Sequence, residues 1–160
     1  MEKDLFKIAR DFIVADTGRE IALAKASEGW FRRQLLRLCG LEAGGGNFMA
    51  ALSLLSYTEF AGRLMLSDFS DGNSRKCFEE FFRDMGTGYD DLLKKHNVYK
   101  ILRCGLAHEY FVKKSCTIAM LSSRPQPGVQ WDGTKYIFIV EAYLNDFRSA
   151  IDRLATRLFP

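Results

Sequence analysis

Apolar positions recur along most of this chain at steps of three and four, the spacing that gathers side chains on one face of an α-helix. Leu5, Ile8, Ala9, Phe12 and Ile13 fit such a face near the N-terminus, and Asp16 or Thr17 can cap a following helix. That second helical region carries Ala24, Phe31, Leu35 and Leu38 on one side, has a weak point at Gly29 and stops at Gly40. The run Gly44-Gly45-Gly46-Asn47 predicts a loop ending in the N-cap of a third helix. This helix, residues 48–66, is apolar around nearly its whole circumference, which makes it the central helix of a bundle. Glu59 and Arg63 stand four apart on its single polar edge, where they can pair.

After a loop at 67–74, Phe78, Phe81, Phe82 and Met85 mark the inner face of a short helix that Gly86 and Gly88 end. Asp90 opens a further helical stretch to about Phe111, with a break at His96-Asn97. The period then changes. Residues 115–121 and 134–141 are rich in β-branched and aromatic side chains and read as strands, with a short third strand at 129–131. Pro125 and Pro127 exclude a helix between them, and Asp132-Gly133 suits a hairpin turn. Leu144, Phe147, Ile151, Leu154 and Leu158 then define the last helix. The pattern predicts a mainly α fold: one domain over 1–160, a helical bundle with a small antiparallel β-hairpin (115–141) inserted before the C-terminal helix.

Composition agrees with this picture. The chain of 160 residues, 48% hydrophobic and 27% charged, can bury one core without disulfides or a structural metal. Cys39, Cys77, Cys104 and Cys116 form no Cys-x-x-Cys pair and lie in apolar runs, as expected of buried thiols in a reducing compartment. The N-terminus mixes both signs of charge without the apolar core of a secretory signal, and Glu59 and Arg63 interrupt the longest apolar run. A cytoplasmic protein with no membrane partner is expected.

Charge narrows the candidate chemistry. Lys94, Lys95, Lys100, Arg103, Lys113 and Lys114 crowd residues 92–114 against Glu109 alone, although the whole chain carries only +3. Arg32, Arg33 and Arg37 form a second group beside Trp30 and Phe31. Such clusters attract a polyanion, with aromatics stacking on bases, or they form a solvated face. The glycine run at 44–46 lacks the Lys-Ser/Thr of a phosphate loop, and no serine sits in a Gly-x-Ser-x-Gly elbow.

Within the basic stretch lies Arg103-Cys-Gly-Leu-Ala-His108. Arginine holds a phosphate by two parallel hydrogen bonds, and histidine, with an ordinary pKa of about 6.5, exchanges a proton at neutral pH. The pair suits RNA cleavage without a metal or other cofactor, with Lys100, Tyr110, Lys113 and Lys114 as candidate substrate contacts, although Tyr110, beside Phe111, also fits core packing. On a straight helix, five residues turn through about 500° and leave the two side chains about 140° apart. The site therefore requires a bend near Gly105 or a second subunit. The same residues also admit a scaffold role, with Arg103 paired to Glu109 or another acid and His108 bonded to backbone at a helix end. His96, after Lys94-Lys95, suits the C-terminal end of a helix.

Around these residues the chain resembles the HEPN superfamily, small helical bundles whose late helix carries Arg, four to six residues, then His. Gly-Leu-Ala-His-Glu-Tyr-Phe is also similar to sequences of this group, whereas Cys104 stands where active members often carry Asn, Asp or His. The resemblance implies a helical core over 1–111, with Arg103 and His108 as catalytic residues of metal-independent cleavage to a 2′,3′-cyclic phosphate. It also implies a homodimer with a composite site and, as in many members, a toxin or defence role with a cognate antitoxin. The alternative is a non-catalytic helical module that binds protein, nucleotide or RNA.

Overall fold

A computed structural model describes residues 3–26, 34–35, 37–40, 46–109 and 116–160, without the side chains of residues 108 and 109. The elements are α1 (Lys3–Ala26), α2 (Asn47–Leu66), α3 (Ser74–Asp84), α4 (Thr87–Lys95), a π-helical turn (Tyr99–Cys104), α5 (Gly105–Glu109), β1 (Cys116–Ala119), β2 (Val129–Trp131), β3 (Tyr136–Ile139) and α6 (Val140–Leu158). The fold is mainly helical, with a small sheet before the C-terminal helix, as the apolar periods predict.

The centre is α2, which buries Ala50, Ala51, Leu54, Leu55, Ala61 and Leu64. Its neighbour α3 comes unusually close at Gly62. A Cβ built there would lie 1.8 Å from the Cys77 carbonyl oxygen, so only glycine permits this contact between backbones. The aromatic face of α3 is the one its spacing predicts: Phe78 and Phe82 stack at 5.2 Å, Phe82 meets Tyr89 edge-on at 4.9 Å, and Phe81 packs on Phe147 of α6. Burying these rings removes large apolar areas from water and dominates the core energetics.

Several expectations are corrected. The Asp16-Thr17 break does not form, and α1 runs unbroken through Gly18. Its buried face is Phe6, Ile13, Thr17 and Ile21, whereas Leu5, Ile8 and Phe12 are 54%, 64% and 66% exposed. Two apolar stripes share this helix, and packing selects one. Residues 34–35 and 37–38 are helical, but Leu35 and Leu38 are exposed and Phe31 lies outside the described residues. Asn47 does not cap α2; Gly46, at φ 74°, takes the cap position, and Asn47 Nδ2 donates to the Ile118 carbonyl of β1 at 2.7 Å. Helix α4 starts at Thr87 rather than Asp90 and includes Gly88. The first Cβ-less residue, Gly86, turns the chain at φ 151°.

The strands form a mixed sheet of order β1-β3-β2 rather than a lone hairpin. The antiparallel β2–β3 hairpin closes at Asp132, whose Oδ1 accepts from the Thr134 and Lys135 amides at 2.9 Å. Strand β1 adds in parallel to β3, with Cys116 opposite Tyr136 and Ala119 opposite Ile139. The sheet is locked to α6: the Ile139 and Glu141 amides donate to the carbonyls of Gly128 and Met120. Tyr89 donates its hydroxyl hydrogen to Asp146, and the Gly128 amide donates to both groups at 3.1 Å. Burial is the main cause that raises the Tyr89 pKa, with the Asp146 charge second. Among the cysteines, Cys77 is buried and its thiol pKa is raised by desolvation, but Cys39 is exposed, against expectation.

Candidate active site

Glu59 is the only acidic residue of α2 and is 9% exposed. A carboxylate taken that far from water needs cationic partners. Arg63, one helical turn on, supplies one at 3.3 Å, the pairing expected from their spacing. Arg103, 44 residues later, supplies the other through Nε at 3.1 Å. Arg63 is itself held, donating to the Ser74 hydroxyl at 2.8 Å and to the Ser70 carbonyl at 3.1 Å. The result is an arginine–carboxylate–arginine row at the edge of the bundle, where loop 67–73 and the π-helical turn meet α2.

The turn that presents Arg103 is built from both local and tertiary causes. His96 leaves α4 in an extended conformation, and its amide still donates to the Leu92 carbonyl at 2.8 Å. Asn97 Oδ1 then accepts from the Lys100 amide at 3.2 Å, starting the next turn. Val98 and Leu102 are fully buried, which pins one side of the turn to the core. Tyr99 packs edge-on against Phe78 at 5.5 Å; burial, then the Glu59 charge and Cys104, raise its pKa. A π-helical turn is rare and is frequent at functional sites. Because winding changes between Cys104 and Gly105, the interval from Arg103 to His108 is not a straight α-helix.

Arg103 is about one-fifth exposed at its side chain, and the bond to Glu59 occupies Nε alone, leaving the two amino groups of the guanidinium outside that bond. Lys100 is exposed three residues before it. His108 lies in α5, but its side chain is outside the described part, as are Glu109's and the whole of Tyr110, Lys113 and Lys114. The second basic group loses Trp30 to Arg33 for the same reason; Arg37 is exposed. The basic excess is smaller in space than in sequence, since Lys94 pairs with Asp90 at 2.6 Å and with Asp91 at 3.5 Å, acids just upstream. His96 takes the helix-end position expected of it, and its ring lies 5.2 Å from Trp131 and 5.5 Å from Tyr136, beside the sheet.

Helical spacing alone does not place Glu59 beside Arg103. The signal was present: an acid in an otherwise apolar run demands more charge compensation than one arginine on the same helix gives. Among the described residues no cluster of His, Cys, Asp and Glu side chains is arranged to hold a metal, and no helix is long and apolar enough to cross a membrane. The chain matches no protein-family model, and neither a curated protein nor a solved structure matches it.

Proposed function

We propose that this chain is a HEPN-like, metal-independent ribonuclease in which Arg103 binds and neutralises the scissile phosphate and His108 moves the proton. The observation that carries the reading is Arg103 itself: held by Glu59 through Nε on a π-helical turn, it keeps its amino groups outside that bond, five residues before His108. In this mechanism His108 takes the proton of the ribose 2′-hydroxyl, the 2′-oxygen bonds to phosphorus, and the bond to the 5′-oxygen breaks. The leaving 5′-oxygen takes a proton from water, and His108 returns the proton it took to the resulting hydroxide, giving 2′,3′-cyclic phosphate and 5′-hydroxyl ends. Arg103 stabilises the charge that grows on the phosphoryl oxygens. Lys100 contributes attraction for the RNA backbone, with Tyr110, Lys113 and Lys114 as the further contacts. The biological setting of this reading is a cytoplasmic homodimer acting as a toxin or defence protein, with an antitoxin as its partner.

The test is cleavage of a mixed RNA pool in EDTA by the wild type and by His108→Ala, with the ends assayed. Cyclic-phosphate ends from the wild type, falling about 1000-fold in the variant, support the enzyme. No cleavage by folded wild type across neutral pH sinks it. The Glu59–Arg103 ion pair also favours a second reading, in which Arg103 is a scaffold residue of a non-catalytic binding module. On that reading RNA is bound or ignored equally by wild type and His108→Ala, and never cut.

A further inference from the structure

The side of α1 turned away from the core carries a second, ordered pattern. Leu5, Ile8, Phe12, Ala15, Arg19 and Ala22 follow steps of three and four without a break, and all are exposed. This is the a/d repeat of a coiled-coil seam, lying opposite the buried stripe of Phe6, Ile13, Thr17 and Ile21. A helix of 24 residues, roughly 36 Å long, therefore has one apolar face spent on its own core and another left in water. Exposure of 54%, 64% and 66% at Leu5, Ile8 and Phe12 is unusual for three large neighbours on one line.

We propose that this face binds a second copy of the chain, α1 against α1, in antiparallel orientation. Shape favours that partner. With the two helices antiparallel and centred between Ile13 and Val14, Phe12 faces Ala15 of the partner subunit and Leu5 faces Ala22 of the partner subunit. Ile8 then meets the aliphatic stem of Arg19 of the partner subunit, whose charged end reaches water. Each large side chain lies opposite a small or flexible one, in both directions, as a two-fold axis requires.

Charge favours the same arrangement. The flank beside the seam carries Asp4 and Asp11 in its N-terminal half and Lys25 at its C-terminal end. Antiparallel pairing brings Asp4 beside Lys25 of the partner subunit twice per dimer, and Lys25 can keep its intramolecular bond to Glu141. A parallel pair would instead place Asp11 beside Asp16 of the partner subunit, a like-charge contact. The interface does not depend on the ribonuclease reading. Helix α1 packs on α2 and α6, whereas the turn bearing Arg103 packs on α2, α3 and α5.

Sedimentation velocity of the full chain, from about 1 to about 100 µM, tests the proposal by mass rather than by cleavage. A wild-type dimer that Phe12→Asp and Ile8→Glu each weaken at least about 100-fold, with unchanged circular dichroism, is the expected result. Asp4→Lys alone should weaken the dimer roughly fivefold, and adding Lys25→Asp should restore it. A wild type that stays monomeric throughout, including one whose α1 face takes a different protein, overturns the proposal. So does a dimer indifferent to Phe12→Asp, or a double charge reversal that restores nothing.

Discussion

Thr58 and Glu59 are neighbours on α2 and both are buried, yet they serve two unlike junctions. Thr58 donates to the Leu54 carbonyl at 2.8 Å and accepts from Tyr143 at 2.7 Å, so a wholly buried pair of hydroxyls is satisfied with no charge. Glu59, turned about 100° around the helix, faces the rim and needs two arginines. A neutral pair uses the backbone of its own helix and survives in the middle of the core. A carboxylate has to draw cations from elsewhere in the chain, and those cations have to keep part of their surface in water. The first junction joins α2 to α6; the second fixes Arg103 at the rim of α2 with part of its side chain in water.

The contrast can be broken at several points. The largest effect is expected where neither junction has room to adapt: Gly62→Ala pushes a methyl into the Cys77 carbonyl and should cost about 3 kcal/mol or more in calorimetric stability. Arg103→Ala comes next, at about 2 kcal/mol in urea denaturation, because Glu59 is left buried with Arg63 alone. Stability unchanged in that variant would mean that Glu59 does not depend on Arg103, and would remove the positioning argument for the site. Tyr143→Phe should cost about 1 kcal/mol, since it removes one donor and leaves Thr58 bonded to Leu54. Equal losses in the last two variants would erase the distinction between the junctions.

Alkaline pH gives the smallest effect. Burial raises the pKa of Tyr143 and Tyr89 above the ordinary tyrosine value of 10.0, so the folded state keeps protons that the unfolded chain gives up. Their contribution is therefore complete below pH 10 and declines as pH rises beyond it. At pH 10 the loss should be about 0.4 kcal/mol for each, visible as a lower midpoint in urea than at pH 8 and as a smaller drop in a Tyr143→Phe variant. A stability that stays flat through pH 11 would contradict the burial of both hydroxyls.

The fold was more legible in the sequence than the site. Helix α6, the aromatic face of α3 and the Asp132-Gly133 turn each follow from local spacing, because one period or one turn chemistry has no local competitor there. The site was legible only as Arg103 and His108 in a basic stretch. Spacing pairs Glu59 with Arg63, and nothing local links it to a residue 44 positions away.

Helix α6, the inner face of α3, the central place of α2 and the strand character of β1 and β3 were determined by the sequence alone, since all rest on periods of a few residues. Tertiary structure decided which of two apolar stripes on α1 is buried, gave Asn47 to a strand carbonyl instead of a cap, and added β1 in parallel to the hairpin. It also brought Arg103 to Glu59. The physical reason is common to all four: each choice is between options that are nearly equal within one segment, and contacts from distant segments supply the difference.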